Sequence, residues 1–429
     1  MKQQHILFSN PTHEMALREI GNAHRSARRA LSWGSALAAA LTALCAPAAY
    51  AIDVQAGDWK LSFDGNVNAD YIFSSCEALN SAVTVSGGLT CVAAGTGEKS
   101  SSSISNGLLP AALSISAATT QAGYDIGVTF GLYPGISTND GGSPNLGNTS
   151  TTRNTALGTA GLDVRQVFLT FGNKDMGTVT AGRNIGLFQA DAILNDMTLL
   201  GVGADGLNAA PTNTSLGSIG YGYIYTDWLA QIDYTTPDLS GTKITVGIFD
   251  PVESLSDGTG PTPKSAPGFH GKIAWGDPKA GPLYLSASFL WERQEFQRED
   301  LTGALILGQK LTYDGYGFDV GGKYDVAGIE VAAWVYYAKG LGTTGLFVNS
   351  ADADPTSAGY GNARQSYGGL FQVTYKVPET NLKLGVNYGT SDLSKADNEV
   401  INPASPLLKK NDKISLGVYD QLTPNLLLL

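Results

Sequence analysis

Trp59-Lys60-Leu61-Ser62-Phe63-Asp64-Gly65-Asn66-Val67-Asn68-Ala69-Asp70-Tyr71-Ile72-Phe73 decides the fold. Its odd positions carry Trp59, Leu61, Phe63, Gly65, Val67, Ala69, Tyr71 and Phe73, and its even positions Lys60, Ser62, Asp64, Asn66, Asn68 and Asp70. A period of two sustained this long belongs to a strand with one apolar and one polar face, and it excludes a helix of period 3.6.

The rhythm returns along the chain. Tyr124, Ile126, Val128, Phe130 and Leu132 form one face of a strand, and Leu283, Leu285, Ala287, Phe289 and Trp291 form another. Tyr316 to Tyr324 and Ile329 to Tyr337 make a hairpin about the tight turn Asp325–Gly328, and Tyr367 to Tyr375 and Leu382 to Tyr388 make the next. Short connections near 119–123, 172–176, 236–242, 277–281, 325–328, 377–381 and 422–425 interleave with long ones near 74–108, 134–160, 184–227, 251–267, 292–314, 338–365 and 390–411. Short turns at one end, long loops at the other and aromatic residues at strand ends predict an all-β, transmembrane, antiparallel up-and-down β-barrel. A two-sheet sandwich would have loops of similar length at both ends. Fourteen complete strands are counted, with a fifteenth beginning at Leu426. The expectation is sixteen strands when complete, and a chain shortened at its C-terminus by roughly 30 to 50 residues.

Composition agrees. Only 15% of the 429 residues are charged, Gly reaches 53, and Tyr (19) outnumbers Phe (14). Arg25, Arg28 and Arg29 precede an apolar run from Ala30 to Leu44, and Ala49-Tyr50-Ala51 offers a small-x-small cleavage site. Residues 1–51 therefore read as a signal peptide and 52–429 as the barrel. The segment ahead of the arginines is long, which leaves Met1 and Met15 both open as the start; Cys45 as a lipidated residue is disfavoured by Leu44 before it. Removing the leader leaves 22 basic against 36 acidic residues, a net charge of −14, which speaks against nucleic acid as a partner. Cys76 and Cys91 remain, and an even pair in an exported chain reads as a disulfide closing the first long loop, with two unrelated thiols as the alternative. No mature segment reaches 18 consecutive apolar residues, so any membrane crossing must be made by strands.

Gly182-Arg183-Asn184-Ile185-Gly186, followed by Asp191 and Asn195-Asp196-Met197, resembles the segment leading into the constriction loop of the Gram-negative general-diffusion porins. Arg165-Gln166-Val167-Phe168-Leu169 resembles the Arg-led strand motif of the same family. The resemblance implies that the third outer loop folds into the barrel and narrows a water-filled pore, with Arg165 and Arg183 on the wall and Asp191, Asp196 and Asp205 on the loop side. It also implies a homotrimer in the outer membrane of a Gram-negative bacterium, in contact with lipid and lipopolysaccharide. Leu200 stands where a second loop carboxylate is common, and Tyr234-Thr235-Thr236-Pro237 lacks an arginine found there in the family. Both signs of the constriction are thus thinned.

Nothing points to catalysis or to a cofactor. Gly201-Val202-Gly203-Ala204-Asp205-Gly206 lacks the strand before and helix after that a dinucleotide cradle requires. Pro263 before Lys264-Ser265 breaks a phosphate-loop pattern. His270 is the single mature histidine, too few for a histidine-based metal site, and alternation sets it on the inner wall. Lys60, Asp64, Asp70, Asp319, Lys323 and Glu330 join it as lumen-wall residues, and the acidic excess predicts a weak preference for cations. The expected activity is passive diffusion of small hydrophilic solutes; a substrate-specific channel and a non-conducting adhesin or structural barrel are the alternatives.

Overall fold

The computed structural model describes residues 52–75, 88–89, 100–136, 162–205, 214–253, 264–279, 281–302, 304–401, 403 and 406–429. The proposed leader, Cys76, Cys91 and Gly206 lie outside the described residues. The strands are β1 (Ile52–Ala56), β2 (Trp59–Asn66), β3 (Asp70–Ser75), β4 (Ser100–Ser105), β5 (Ala112–Gln121), β6 (Tyr124–Pro134), β7 (Leu162–Asn173), β8 (Gly177–Ile185) and β9 (Trp228–Thr235). They continue with β10 (Thr242–Phe249), β11 (Gly268–Trp275), β12 (Leu283–Glu299), β13 (Leu305–Val326), β14 (Ile329–Lys339), β15 (Gln365–Lys376), β16 (Leu382–Ser394), β17 (Lys410–Thr423) and β18 (Leu426–Leu428).

Sixteen of these form a single antiparallel sheet in chain order, and β3 and β4 pair separately. Consecutive pairing follows from the turns. Ala122-Gly123 and Ala327-Gly328 each place two residues at positive φ (52° and 84°; 53° and 81°), the geometry whose twist matches a two-residue hairpin. The connection between β8 and β9, residues 186–227, bonds to β11, β12, β13, β15, β16 and β17 and to residues 108 and 109 ahead of β5. One loop reaches all of these only because the sheet curls around it.

The outward face is the apolar one. Leu169, Ile232, Val246, Ile273, Leu285, Val320, Val335, Phe371 and Val386 are all exposed, as expected of side chains that meet lipid. Beside the short turns lie Tyr124, Phe171, Tyr234, Trp275, Tyr324 and Tyr375; toward the long loops lie Phe130, Phe269, Trp291, Tyr316, Tyr337, Tyr367 and Tyr388. Eight residues separate the two belts on β13 and β15. At about 3.4 Å per residue and a tilt near 40°, that gives roughly 20 Å, close to the apolar band of an outer-membrane barrel.

Two expectations are corrected and one is borne out. The alternation through Phe73 does not stay in the barrel: Asn66 Nδ2 donates to Pro110 O (3.2 Å) and Asn68 Nδ2 to Leu109 O (2.8 Å), turning the chain out of the sheet so that Asp70 sits on the β3–β4 hairpin and not on the barrel wall. The expected sixteen strands are found in one sheet; the strand that periodicity did not mark is β1, whose five residues pair with β2. The connection expected at 292–314 is not a loop, because β12 and β13 remain paired up to Glu299 and Leu305, as a ribbon rising past the aromatic belt.

Candidate functional site

The 186–227 loop crosses the barrel interior and carries one α-helical turn, α1 (Ala190–Leu194), followed by a 3-10 turn, Met197–Leu200. Such short turns have few internal backbone bonds, and the barrel wall supplies the rest. Leu187 N donates to His270 Nδ1 (3.4 Å), which leaves the ring proton on Nε2 for Asp233 Oδ1 (2.8 Å). Gln189 N donates to Ser288 Oγ and Asp319 Oδ2, each at 3.1 Å. Asp191 accepts from Lys272 Nζ (3.1 Å) and Tyr284 OH (2.9 Å). Gln372 takes the N–H of Met197 (2.9 Å) and gives its amide to Asn195 O (2.6 Å).

Asp196 is the knot of the loop. Its carboxylate caps Thr198 N (2.9 Å) and accepts from Ser218 N (3.1 Å), Tyr223 OH (2.8 Å) and Asn387 Nδ2 (3.2 Å). Lys413 Nζ donates to Gly217 O (2.5 Å) and Ser218 Oγ (2.9 Å), and Tyr419 OH to Met197 O (2.5 Å). A carboxylate only 4% exposed is tolerated because four donors replace its water.

Apolar packing completes the attachment. Phe188 is fully buried in a cluster with Leu290, Tyr336, Ala338, Leu341 and Phe347. Ile193 and Leu199 belong to a second cluster with Tyr284, Trp334 and Leu370. The inner face of β12–β15 is therefore dry where the loop lies on it. Toward the outer end, Arg364 grips Glu399 through Nη2 (2.6 Å) and Nε (3.1 and 3.2 Å), tying the 340–364 loop to the 395–409 loop.

The other side of the interior is different. Inward positions of β2 and β5 hold Ser62, Asp64, Asn66, Ser114 and Ser116, all partly exposed. Ser62 is paired in register with Ser116, Ser116 with Thr129, and Asp64 with Ser114. A hydroxyl ladder thus lines this wall, and among the described residues the inward positions of β2, β5 and β6 hold no arginine.

The residues singled out by sequence divide accordingly. Asp191 and Asp196 lie on the inserted loop as expected, but each is consumed by wall and loop donors and does not face an arginine. Arg165 is buried, pairs with Asp163 (2.9 Å) and lies over the rings of Tyr133 (5.0 Å) and Trp228 (5.9 Å). Arg183 is paired in register with Val167 and Ala230, both exposed, so it belongs to the outward rows and is corrected from the pore wall. Next to it, burial pushes up the carboxyl of Asp227 in the loop end before β9, against the bond from Trp228 N–H and the charges of Arg183 and Arg165. Asp205 accepts the hydroxyl of Ser74 and fastens the loop to the β3–β4 hairpin. Lys60 faces inward and pairs with Asp53 (2.9 Å), Lys323 pairs with Glu330 (3.3 Å), and Asp319 and His270 stand behind the loop stem. Missed by sequence were Gln189, Gln372, Asn387, Lys413 and Tyr419; of these, only the inward parity of the last four was readable.

A sixteen-stranded sheet wrapped around its own third long loop has a counterpart among known sequences. Residues 36–419 match the family described as Gram-negative porin. The chain belongs to that family. A search of curated proteins finds no match. Among solved structures, this porin is similar to the outer membrane channel DcaP of Acinetobacter baumannii, with a TM-score of 0.55 at 16% identity over 86% of this chain and 88% of that one. It is also similar to OmpF of Salmonella typhi, solved with daunomycin, with a TM-score of 0.51 at 12% identity over 87% and 89%. At these identities the likeness is one of fold. Membership makes this porin an outer-membrane channel protein of β-barrel type.

Proposed function

We propose that this porin is a passive channel for small hydrophilic solutes and ions, exported by a cleaved leader (1–51) and assembled as a homotrimer, with no catalytic role. One observation carries the reading: the inserted loop is held against β11–β17, while the polar inner wall of β2 and β5 keeps its solvent contact. A pore between a fixed loop and a hydroxyl-lined wall sorts solutes by size. A second reading, a channel selective for less polar solutes, is favoured by Leu194, Leu200 and Val202, which are partly exposed on the loop.

Refolded protein in planar bilayers tests the first reading, with ohmic single-channel steps as the expected result; a silent bilayer at high protein load rejects it. Liposome swelling with neutral sugars of rising size separates the two readings. Rates that fall smoothly with size support general diffusion, whereas one favoured solute supports selectivity.

A further inference from the structure

Two of the three carboxylates that family resemblance assigns to the constriction, Asp191 and Asp196, are buried and occupied. Asp196 has four donors and Asp191 has Lys272 and Tyr284. Asp205 takes Ser74. A charge matched by a cation a few ångströms away, as Asp191 is by Lys272 (3.1 Å), acts only weakly on a passing ion, and Asp196 is shut off from the water of the pore by its burial. The question is which ionisable group at the same level still faces water.

That level can be fixed from the backbone. Leu109 N donates to Leu199 O (3.1 Å) and Leu108 N to Gly201 O (2.8 Å), so the 199–201 part of the loop lies against residues 108–109. Asn66 Nδ2 donates to Pro110 O. The loop therefore meets the wall just above Asn66, and Asp64 is the next inward position of β2, about 7 Å lower at 3.4 Å per residue.

Asp64 is partly exposed, and its only hydrogen bond among the described residues comes from its neighbour Gly65 N (2.7 Å). Its nearest inward neighbours on β2 and β5 are uncharged: Ser62 and Asn66 flank it on β2, and Ser114 is paired with it across the strands, while Asp53 of β1 is taken by the Ser62 hydroxyl (2.6 Å). Lys60, two inward positions below, is matched by Asp53 (2.9 Å). Asp70 is another acid near this level. Its Oδ2 has no bond partner among the described residues and is shielded from solvent, close to the backbone of Gly107, so it stands behind the constriction.

We propose that Asp64 sets the charge preference of this channel, a single wall carboxylate doing what the loop acids and wall arginines do in the resemblance. The channel takes small cations and uncharged hydroxylated solutes in preference to anions. The inference rests on the channel reading above.

Reversal potentials in a KCl gradient, recorded on the full chain in planar bilayers, test it. The wild type is expected to favour K+ over Cl−, and Asp64→Asn to move the permeability ratio at least halfway to one with conductance retained. Ser116→Arg, which puts a cation into the same ladder, is expected to reverse the preference. A conducting Asp64→Asn channel with an unchanged ratio overturns the assignment of Asp64, as does a Ser116→Arg channel with no shift toward anions. A protein that carries no current removes the channel reading itself and is distinguishable from both.

Discussion

The two sides of the barrel interior are built from the same kind of strand and treat the inserted loop in opposite ways. The β11–β17 side meets it with His270, Ser288, Asp319, Gln372, Asn387 and Lys413, and with the dry cluster about Phe188. The β2–β5 side offers Ser62, Ser114 and Ser116 to solvent. The loop is bonded along the β11–β17 side and, among the described residues, reaches the other only at residues 107–109, ahead of β5, which leaves the inward faces of β2 and β5 as the wall that solutes touch. Positioning and selection are thereby divided between different residues.

The largest expected break in this contrast is Asp196→Ala. Removing the carboxylate strands buried donors from Ser218, Tyr223 and Asn387, which costs about 3–5 kcal/mol in urea unfolding of the micelle-embedded protein, and it increases open-channel noise. A loss below about 1 kcal/mol would show that this side is no better secured than the other. A double-mutant cycle on Lys272→Met and Asp191→Asn comes next, with an expected coupling of about 1–3 kcal/mol. Additivity within about 0.5 kcal/mol would mean that the 3.1 Å pair does not hold α1. The smallest stability effect is expected on the open wall. Ser62→Ala and Ser116→Ala should stay within about 0.5 kcal/mol of the parent, whereas Ser116→Trp should slow liposome swelling by sugars at unchanged unfolding midpoint. A large loss of stability from Ser116→Ala would erase the distinction between the walls.

Much of this contrast is legible in the sequence. Strict alternation over Trp59–Asn66 marks a strand with oil on one side and water on the other. Ile329-Glu330-Val331-Ala332-Ala333-Trp334-Val335-Tyr336-Tyr337 has lost the polar half of the pattern, and its inward Ala332, Trp334 and Tyr336 are buried by the inserted loops. A strand apolar on both faces has both faces covered, so the covered side could have been assigned from that segment. The outward setting of Arg183 was also readable, since Val179 and Ala181 lead to it in steps of two. The motif resemblance pointed inward, and the alternation was the better guide. The partners of Asp196 were not readable, because Ser218 and Tyr223 depend on how the loop folds back on itself and Asn387 comes from β16, which only the curl of the sheet brings near. The departure of β3 was equally hidden: Asn66 and Asn68 fit an alternating strand, and their bonds to 109 and 110 depend on where β5 begins.

The β12–β13 ribbon carries a practical consequence. Its strands continue for eight residues past Trp291 to Glu299, and its end is fastened locally, with Asp300 Oδ1 accepting from Thr302 N (2.8 Å) and Ala304 N (3.0 Å). A projection that is paired along its length and closed by its own aspartate can carry foreign sequence without disturbing the barrel beneath it. An epitope grafted between Asp300 and Ala304 would be displayed on a stalk clear of the lipid, where antibodies against intact cells could reach it and report which end of the cylinder faces the outside world.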